Sequence, residues 1–505
     1  MLITVIAEKK YPDAHQQIQR AINAVDAIEL RLDYFDELDL AAISLLKNSC
    51  PVPIIFTLRK SAQGGLFCQA ENMRLEMLEK LAVLKPDFID LEYDVAPEFA
   101  KKLKKIHPSL KLIRSYHDFQ QTPTNLNELF TTLRDDNFSI YKIVTFAHST
   151  LDCLRMLNFV NQIEPSIKLA GFCMGEAGAP SRVLGPIVGS FLHYSCINEE
   201  GQVAPGQLTL STMCNLYRFR AINKETKIYA LIGDPVDKSA GHFVHNRAFE
   251  FLEKNAVYVK FKVKPDELSQ FFKLIKSLPF QGLSVTMPLK ETVIPYLDTI
   301  HPKARMIKSV NTIVITNGKL AGYNTDAQGA LDAIENTACV AGKTVVIIGT
   351  GGAGRAIGVE AIERHAKVVF LSRNKEKAQT LAQELQCSGY ESDDISIKSI
   401  NYDVLINTTP LGMSGQDETL PLPEDYLIPE SLVMDTVYNP VHTVLLKKAK
   451  ALNCTRVFGY DMFLNQAVLQ LQLWFENLTN LQEIKVVYRE EFINKVLNSA
   501  SNTQN

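Results

Sequence analysis

Residues 344–358 read TVVIIGTGGAGRAIG. The first five, Thr344 to Ile348, are all β-branched and uncharged, as in a strand buried on both faces. They run directly into Gly349-x-Gly351-Gly352-x-Gly354, and residues of helical character follow. A strand, a glycine turn and a helix in that order let a backbone approach a pyrophosphate at the helix N-terminus. The stretch therefore predicts a parallel Rossmann sheet that holds a dinucleotide through Gly349, Gly351, Gly352, Ala353 and Gly354. The next apolar run, AKVVFLSRN (366–374), ends in Ser372-Arg373-Asn374, where an NAD site carries an acidic residue for the ribose hydroxyls. Arginine at that place favours a 2′-phosphate, so NADP is the expected cofactor, with Lys377 close by in sequence.

Around this stretch the composition is that of a folded α/β chain. Of 505 residues, 46% are hydrophobic and 22% charged, which supplies several cores and excludes disorder as the main state. Basic residues number 53 against 56 acidic, and no segment concentrates them, so a nucleic-acid partner is not expected. No apolar run reaches the roughly 18 to 20 residues of a membrane span, and Met1 leads straight into the strand-like LITVIA (2–7). A cytoplasmic protein, a monomer rather than a homodimer, is expected. The nine cysteines are odd in number and form no C-x-x-C, as for reduced thiols. His242 and His245 could share a helix face, yet no third ligand has a metal-site spacing, and no metal is expected.

Upstream, short β-rich runs recur about every 25 residues: LITVIA, AIELRLD, PIIFTLR, FIDLEY, KLIRSYHD, IYKIVTF, KLAGFCMG and FLHYSCI. Eight strands alternating with helical segments predict an N-terminal (β/α)8 barrel over residues 1–222. A charged, glycine-free connector follows, and a second strand series opens at Ile228. The expected divisions are a substrate-binding domain over 227–326, the Rossmann domain over 327–460, and helices over 461–505 that return to the substrate-binding domain. After VMDTVYNP (433–440) the pattern reads as helical throughout, and the polar last residues are expected to fray.

In a barrel of this kind the reacting groups lie at the carboxyl ends of the strands. Glu29 and Arg31, Arg59, Glu92, His117 and Asp118, Lys142 and Arg182 all fall there. Lys142 is the most informative, because an apolar strand spends a lysine only to point it into the barrel mouth. Near cations such as Arg182 its amine would lose basicity and add to a carbonyl to form an imine. His117, with a pKa near neutrality, would move the proton that the imine acidifies. Arg59 and Arg182 would grip an anion. The inferred chemistry is imine-assisted elimination or aldol cleavage.

At these residues the chain resembles the type I 3-dehydroquinate dehydratases. The likeness runs through ELRLDYF, TLRKSAQGG, IDLEYD, SYHDF with Thr122-Pro123, YKIV, MGEAGAPSR and APGQ. It implies that Lys142 forms the imine with 3-dehydroquinate, that His117 is the general acid/base for loss of water, and that Glu29, Arg31, Arg59, Arg182 and Gln207 bind substrate. Gln63, where glutamate is common, and Val203, where serine is common, depart from the pattern.

Between the barrel and the Rossmann stretch, VTMPLKE places Lys290 after a strand, while SVNTIV and GYNTDAQG place Asn311 and Asp326 on turns. Lysine and aspartate suit a hydroxyl that becomes a carbonyl. These motifs, with YALIGDPV, INTTPLGM, MDTVYNP and GYDMFLNQA, resemble shikimate dehydrogenase over about residues 228–475. The resemblance implies Lys290 and Asp326 as the catalytic pair, and Ser239, Thr286, Asn311 and Gln466 as shikimate ligands. It sets Asn407, Thr408 and Met462 against the nicotinamide and its ribose. Gly241 stands where the family has a second serine, which leaves open a preference for quinate or NAD. The joint expectation is an enzyme that dehydrates 3-dehydroquinate and reduces 3-dehydroshikimate with NADPH. A sensor in which one half has lost turnover is the rival, against which Lys142, His117, Lys290 and Asp326 argue.

Overall fold

The computed structural model describes residues 1–414 and 419–497; the polar tail read as fraying lies outside them. By density of contacts the chain divides into one unit of residues 1–228 with 253–280 and another of 229–252 with 281–505. Residues 1–222 hold eight strands: β1 (Leu2–Ile6), β2 (Ala27–Arg31), β3 (Ile54–Thr57), β4 (Phe88–Glu92), β5 (Lys111–Asp118), β6 (Ile140–Phe146), β7 (Leu169–Met174) and β8 (His193–Ser195). Their order is β7-β6-β5-β4-β3-β2-β1-β8, with parallel ladders throughout. Phe191 N donates to Leu169 O at 2.7 Å, which draws the chain before β8 against β7 and nearly closes the barrel.

Because side chains alternate along a strand, every second residue points inward. At the amino ends these are apolar: Ile3, Ala27, Ile55, Phe88, Ile113 and Ile140 share one core cluster. Two and four residues further on stand Glu29 and Arg31, Thr57 and Arg59, Asp90 and Glu92, Ser115 and His117, then Lys142. Each strand thus seals the barrel floor with its first inward residue and supplies the mouth with the next.

The second strand series, β9 (Lys227–Gly233), β10 (Ala256–Lys262), β11 (Phe280–Val285), β12 (Thr299–Ile300), β13 (Thr312–Thr316) and β14 (Lys319–Tyr323), forms a sheet ordered β10-β9-β11-β13-β14-β12. The third comprises β15 (Thr344–Ile348), β16 (Lys367–Ser372), β17 (Ser388–Glu391), β18 (Val404–Asn407), β19 (Leu432–Asp435) and β20 (Thr455–Phe458). It is wholly parallel, in the order β17-β16-β15-β18-β19-β20. This is the Rossmann arrangement, with its switch point between β15 and β18. The β15 side chains alternate between two cores, Val345 and Ile347 to one and Val346 and Ile348 to the other. The helical reading after residue 440 is corrected by β20: four residues on a sheet edge, only Val457 of them fully buried, show too little alternation to be read. Among the described residues no helix is long and apolar enough to cross a membrane.

His193 on β8, whose Nε2 lies 2.8 Å from Ser190 O, and His245, whose Nδ1 lies 2.8 Å from Tyr488 Oη, are both buried. Burial lowers each to about 3 from the ordinary 6.5. A histidine that takes a proton only when unfolded makes unfolding easier in acid. That part of the stability is complete above pH 6.5 and is lost as pH falls towards 3. Urea midpoints should therefore drop between pH 7.5 and 5, and His193→Gln should give a shallower pH dependence for barrel unfolding.

Candidate active sites

The barrel mouth holds a cleft open to solvent, lined by Glu29, Arg31, Arg59, His117, Lys142, Arg182 and Gln207. All seven residues assigned to this half from sequence meet there. Register places Lys142 beside Ser115 of β5 and Ala170 of β7, and its side chain is buried. The Nζ atom lies 3.2 Å from Asp90 Oδ2, 3.6 Å from Glu29 Oε1 and 4.2 Å from the centre of the Tyr194 ring. The sequence reading puts cations near this amine; Arg59 is one, sharing Asp90 Oδ2 with it, and the inward row of β4 places that carboxylate between them.

Arginine partners divide the site. Arg59 binds Asp90 at 2.8 Å, Ser115 Oγ at 2.8 Å and Glu92 at 3.5 Å, and Asp90 also accepts from Ser115 Oγ at 2.5 Å. Arg31 holds Asp33 through two bonds of 2.9 and 2.7 Å. Glu92 is further tied to the fully buried Arg74 at 2.8 Å, and Asp118 caps the turn at Gln120 and Gln121. Arg182 has no carboxylate: it is 3% exposed, lies 4.7 Å from the Phe172 ring, and its Nε and Nη2 atoms have no partner. Burial lowers its pKa to about 10, so it remains a cation at neutral pH. A desolvated guanidinium with free donors is a receptor for an anion.

His117 projects from β5 with Nδ1 buried and unpartnered. Burial, then the charges of Arg59 and Lys142, hold it well below the ordinary histidine value, Asp90 opposing. The near-neutral pKa expected from sequence is thereby corrected: burial first, and the surrounding cations after it, favour the uncharged imidazole, a base.

In the second unit Lys290, on the short helix Leu289–Thr292, meets Asp326, the first residue of the helix Asp326–Glu335, at 2.6 Å. Val310 N donates to Lys290 O at 2.8 Å and fixes the lysine backbone. Asn311 accepts from Thr325 N at 2.8 Å, donates to Thr325 Oγ1 at 2.9 Å and lies 3.4 Å from Gln466 Oε1. The pair and two of the expected ligands thus share one corner. Thr286 N donates to Ile232 O, which sets the end of β11 against β9, and Ser239 Oγ accepts from Gly241 N at 3.2 Å.

At the switch point Gly349 has φ +107°, and a Cβ on Gly354 would fall 2.1 Å from Gly349 O and 2.8 Å from Thr408 Oγ1. The helix Gly352–Glu363 has no side-chain cap, so its first N–H groups remain for a ligand. Thr408 Oγ1 donates to Ile348 O at 2.7 Å. Asn407 is engaged inward, donating to Asp435 at 3.0 Å and accepting from Thr409 N at 3.0 Å. Ser372 accepts from Asn374 N and Asn374 from Lys377 N, leaving Arg373 exposed between them. Met462 packs in the core beneath, 9% exposed.

The family model for type I 3-dehydroquinase matches residues 2–224, and that for the shikimate dehydrogenase substrate binding domain matches 231–313. The bifunctional 3-dehydroquinate dehydratase/shikimate dehydrogenase of Arabidopsis thaliana, a chloroplastic protein, is 36% identical over 488 residues, covering 92% of this chain and 79% of that one. The chain belongs to this bifunctional family. The shikimate biosynthesis protein AroDE of Chlamydia pneumoniae is 33% identical over 94% of this chain and 95% of its own. A crystal structure of shikimate dehydrogenase with NADP+ is 35% identical and aligns with 54% of this chain and 97% of its own length, at a TM-score of 0.50.

Within the dehydratase half, both departures from the family pattern line the cavity. Gln63 Oε1 is buried without a partner, and Val203 N donates to Gln207 Oε1 at 3.0 Å, which fixes the glutamine through the backbone. Sequence reasoning missed Asp90. Its signal was the inward period of two, Phe88-x-Asp90-x-Glu92, with Asp90 set between apolar neighbours. Neutralising it should be costly, because Arg59 would keep a buried charge without its nearest carboxylate. Asp90→Asn is expected to destabilise the barrel by about 3–5 kcal/mol in urea unfolding and to abolish dehydration.

Proposed function

We propose that Lys142 and His117 dehydrate 3-dehydroquinate through an imine, and that Lys290 and Asp326 serve the NADPH-dependent reduction of 3-dehydroshikimate to shikimate. What carries the first assignment is a buried lysine and an uncharged histidine opening to one cavity beside an unpaired guanidinium. The Lys142 amine adds to the ketone carbon, and loss of water leaves a protonated imine, whose positive charge Asp90 and Glu29 are placed to balance. The imine acidifies the adjacent C–H. His117 removes that proton, and the electron pair passes into an enamine, which expels the β-hydroxyl as water with the proton returned by His117. Hydrolysis of the conjugated imine frees the product and the amine. Arg182 pairs with the substrate carboxylate, the one strong anion its unpartnered donors can meet.

In the second half the residues present fit a dinucleotide: a glycine turn that a Cβ would block, uncapped helix N–H groups and an exposed arginine after β16. NADPH bound there supplies the hydride. Lys290, held at 2.6 Å by Asp326, donates to the ketone oxygen and protonates it as it becomes a hydroxyl. Asn311 and Gln466 bind the substrate hydroxyls, with Ser239 and Thr286 at the carboxylate. Arg373 faces the 2′-phosphate.

Borohydride added with 3-dehydroquinate should lock the adduct onto Lys142, seen by peptide mass, and Lys142→Ala should show neither adduct nor dehydration. An adduct elsewhere would refute the imine assignment. Arg373→Ala should raise KM for NADPH at least about tenfold while KM for NADH stays constant; an equal change for both would refute the phosphate assignment.

A further inference from the structure

Tyr194 is a residue that the dehydration scheme above leaves unused. It stands on β8, pairs in register with Ile3 of β1, and lines the barrel cavity at 4% exposure. Its ring covers the Lys142 amine at 4.2 Å and leans on Phe172 at 5.7 Å between centroids. Its hydroxyl is buried and has no hydrogen-bond partner among the described residues, although β8 is otherwise well satisfied: Ser195 Oγ meets Thr4 Oγ1 at 2.9 Å and His193 meets Ser190 O at 2.8 Å. An unpaired O–H inside a protein is costly, and phenylalanine would fill the same space and cover the same amine without that cost. The hydroxyl is therefore available to a ligand.

Resting on the imine reading above, we propose that Tyr194 is a further catalytic residue of the dehydratase half, its hydroxyl donating a hydrogen bond to the ketone oxygen of the substrate as Lys142 attacks the carbonyl carbon. The ring lies against the attacking amine, so its hydroxyl is carried to the neighbourhood of the carbon that the amine must reach. In the addition, the N–C bond forms, the carbonyl π pair moves onto oxygen, and that oxygen takes up the proton the nitrogen sheds. When the C–O bond breaks, the carbinolamine hydroxyl takes a second proton, the one His117 accepted from the lysine ammonium before attack, and leaves as water while the nitrogen lone pair closes the protonated imine. Tyr194 keeps its own proton throughout and stabilises the charge that builds on oxygen. Burial, with Glu29 and Asp90 nearby, holds the phenol well above its ordinary pKa, so it acts only as a donor. His117 remains the group that moves the proton on carbon.

Tyr194→Phe removes the hydroxyl and nothing else. On the full chain, kcat/KM for 3-dehydroquinate should fall about 10- to 100-fold. The rate at which borohydride captures the Lys142 adduct in a single turnover should fall by the same factor. The thermal midpoint should hold or rise, since the unpaired hydroxyl is gone, and the NADPH-dependent reduction of 3-dehydroshikimate should not move. An unchanged capture rate, with or without a change in KM, would overturn the assignment to the ketone oxygen. Absence of any adduct in the parent protein would instead remove the imine reading itself, and this proposal with it.

Discussion

The carboxylate of Asp90 lies 2.8 Å from Arg59 and 3.2 Å from Lys142, with Ser115 as a third partner, and the chemistry of the barrel mouth is arranged around it. Two cations confined to one small cavity would repel each other, and burial would add its own penalty. One shared carboxylate oxygen contacts both side chains, Arg59 and Lys142. Arg59 and Asp90 stabilise each other: the guanidinium is held above its usual range and the carboxyl below it. Their charges also reach His117, where the cations outweigh Asp90 and leave the imidazole neutral.

The same accounting isolates Arg182. Arg31 has Asp33, Arg59 has Asp90 and Glu92, and Lys142 has Asp90 and Glu29, while Arg182 has the face of Phe172 and no carboxylate. Among the described residues Arg182 is thus the one cation lining this mouth that lacks a carboxylate partner. The aromatic pair Phe172 and Tyr194 carries Arg182 on one ring and Lys142 on the other, so the proposed anchor and the proposed nucleophile are placed by neighbouring strands, β7 and β8.

In the second half the constraint is backbone approach. Gly354 can come within contact of Gly349 O and Thr408 only because neither glycine has a side chain, and this brings the ends of β15 and β18 together at the switch point. Asn407 then joins β18 to β19 through Asp435, whose burial raises its pKa to about 6 even with Thr443 and Val437 N donating to it. Asn407 and Asn374 hold turns at the carboxyl ends of β18 and β16 with their side chains, and Met462 packs in the core.

Local pattern determined much of this protein. Eight short strands at a regular interval specify a barrel, and the run from Thr344 to Gly354 specifies a nucleotide-binding sheet, because strand period and glycine spacing are properties of adjacent residues. Lysine within IYKIVTF marked itself by its cost in an apolar strand. What the tertiary structure decided was which charges face each other. Asp90, Lys142 and Arg59 are far apart in sequence and come from three strands, so their pairing depends on barrel register and on each strand's inward row. The neutrality of His117, the isolation of Arg182 and the unpartnered Tyr194 hydroxyl follow from that register. The edge strand β20 likewise needed its neighbour, since four residues with one buried side chain become a strand only when β19 supplies the hydrogen bonds. Electrostatic environment is a sum over neighbours in space, and only the folded chain sets those distances.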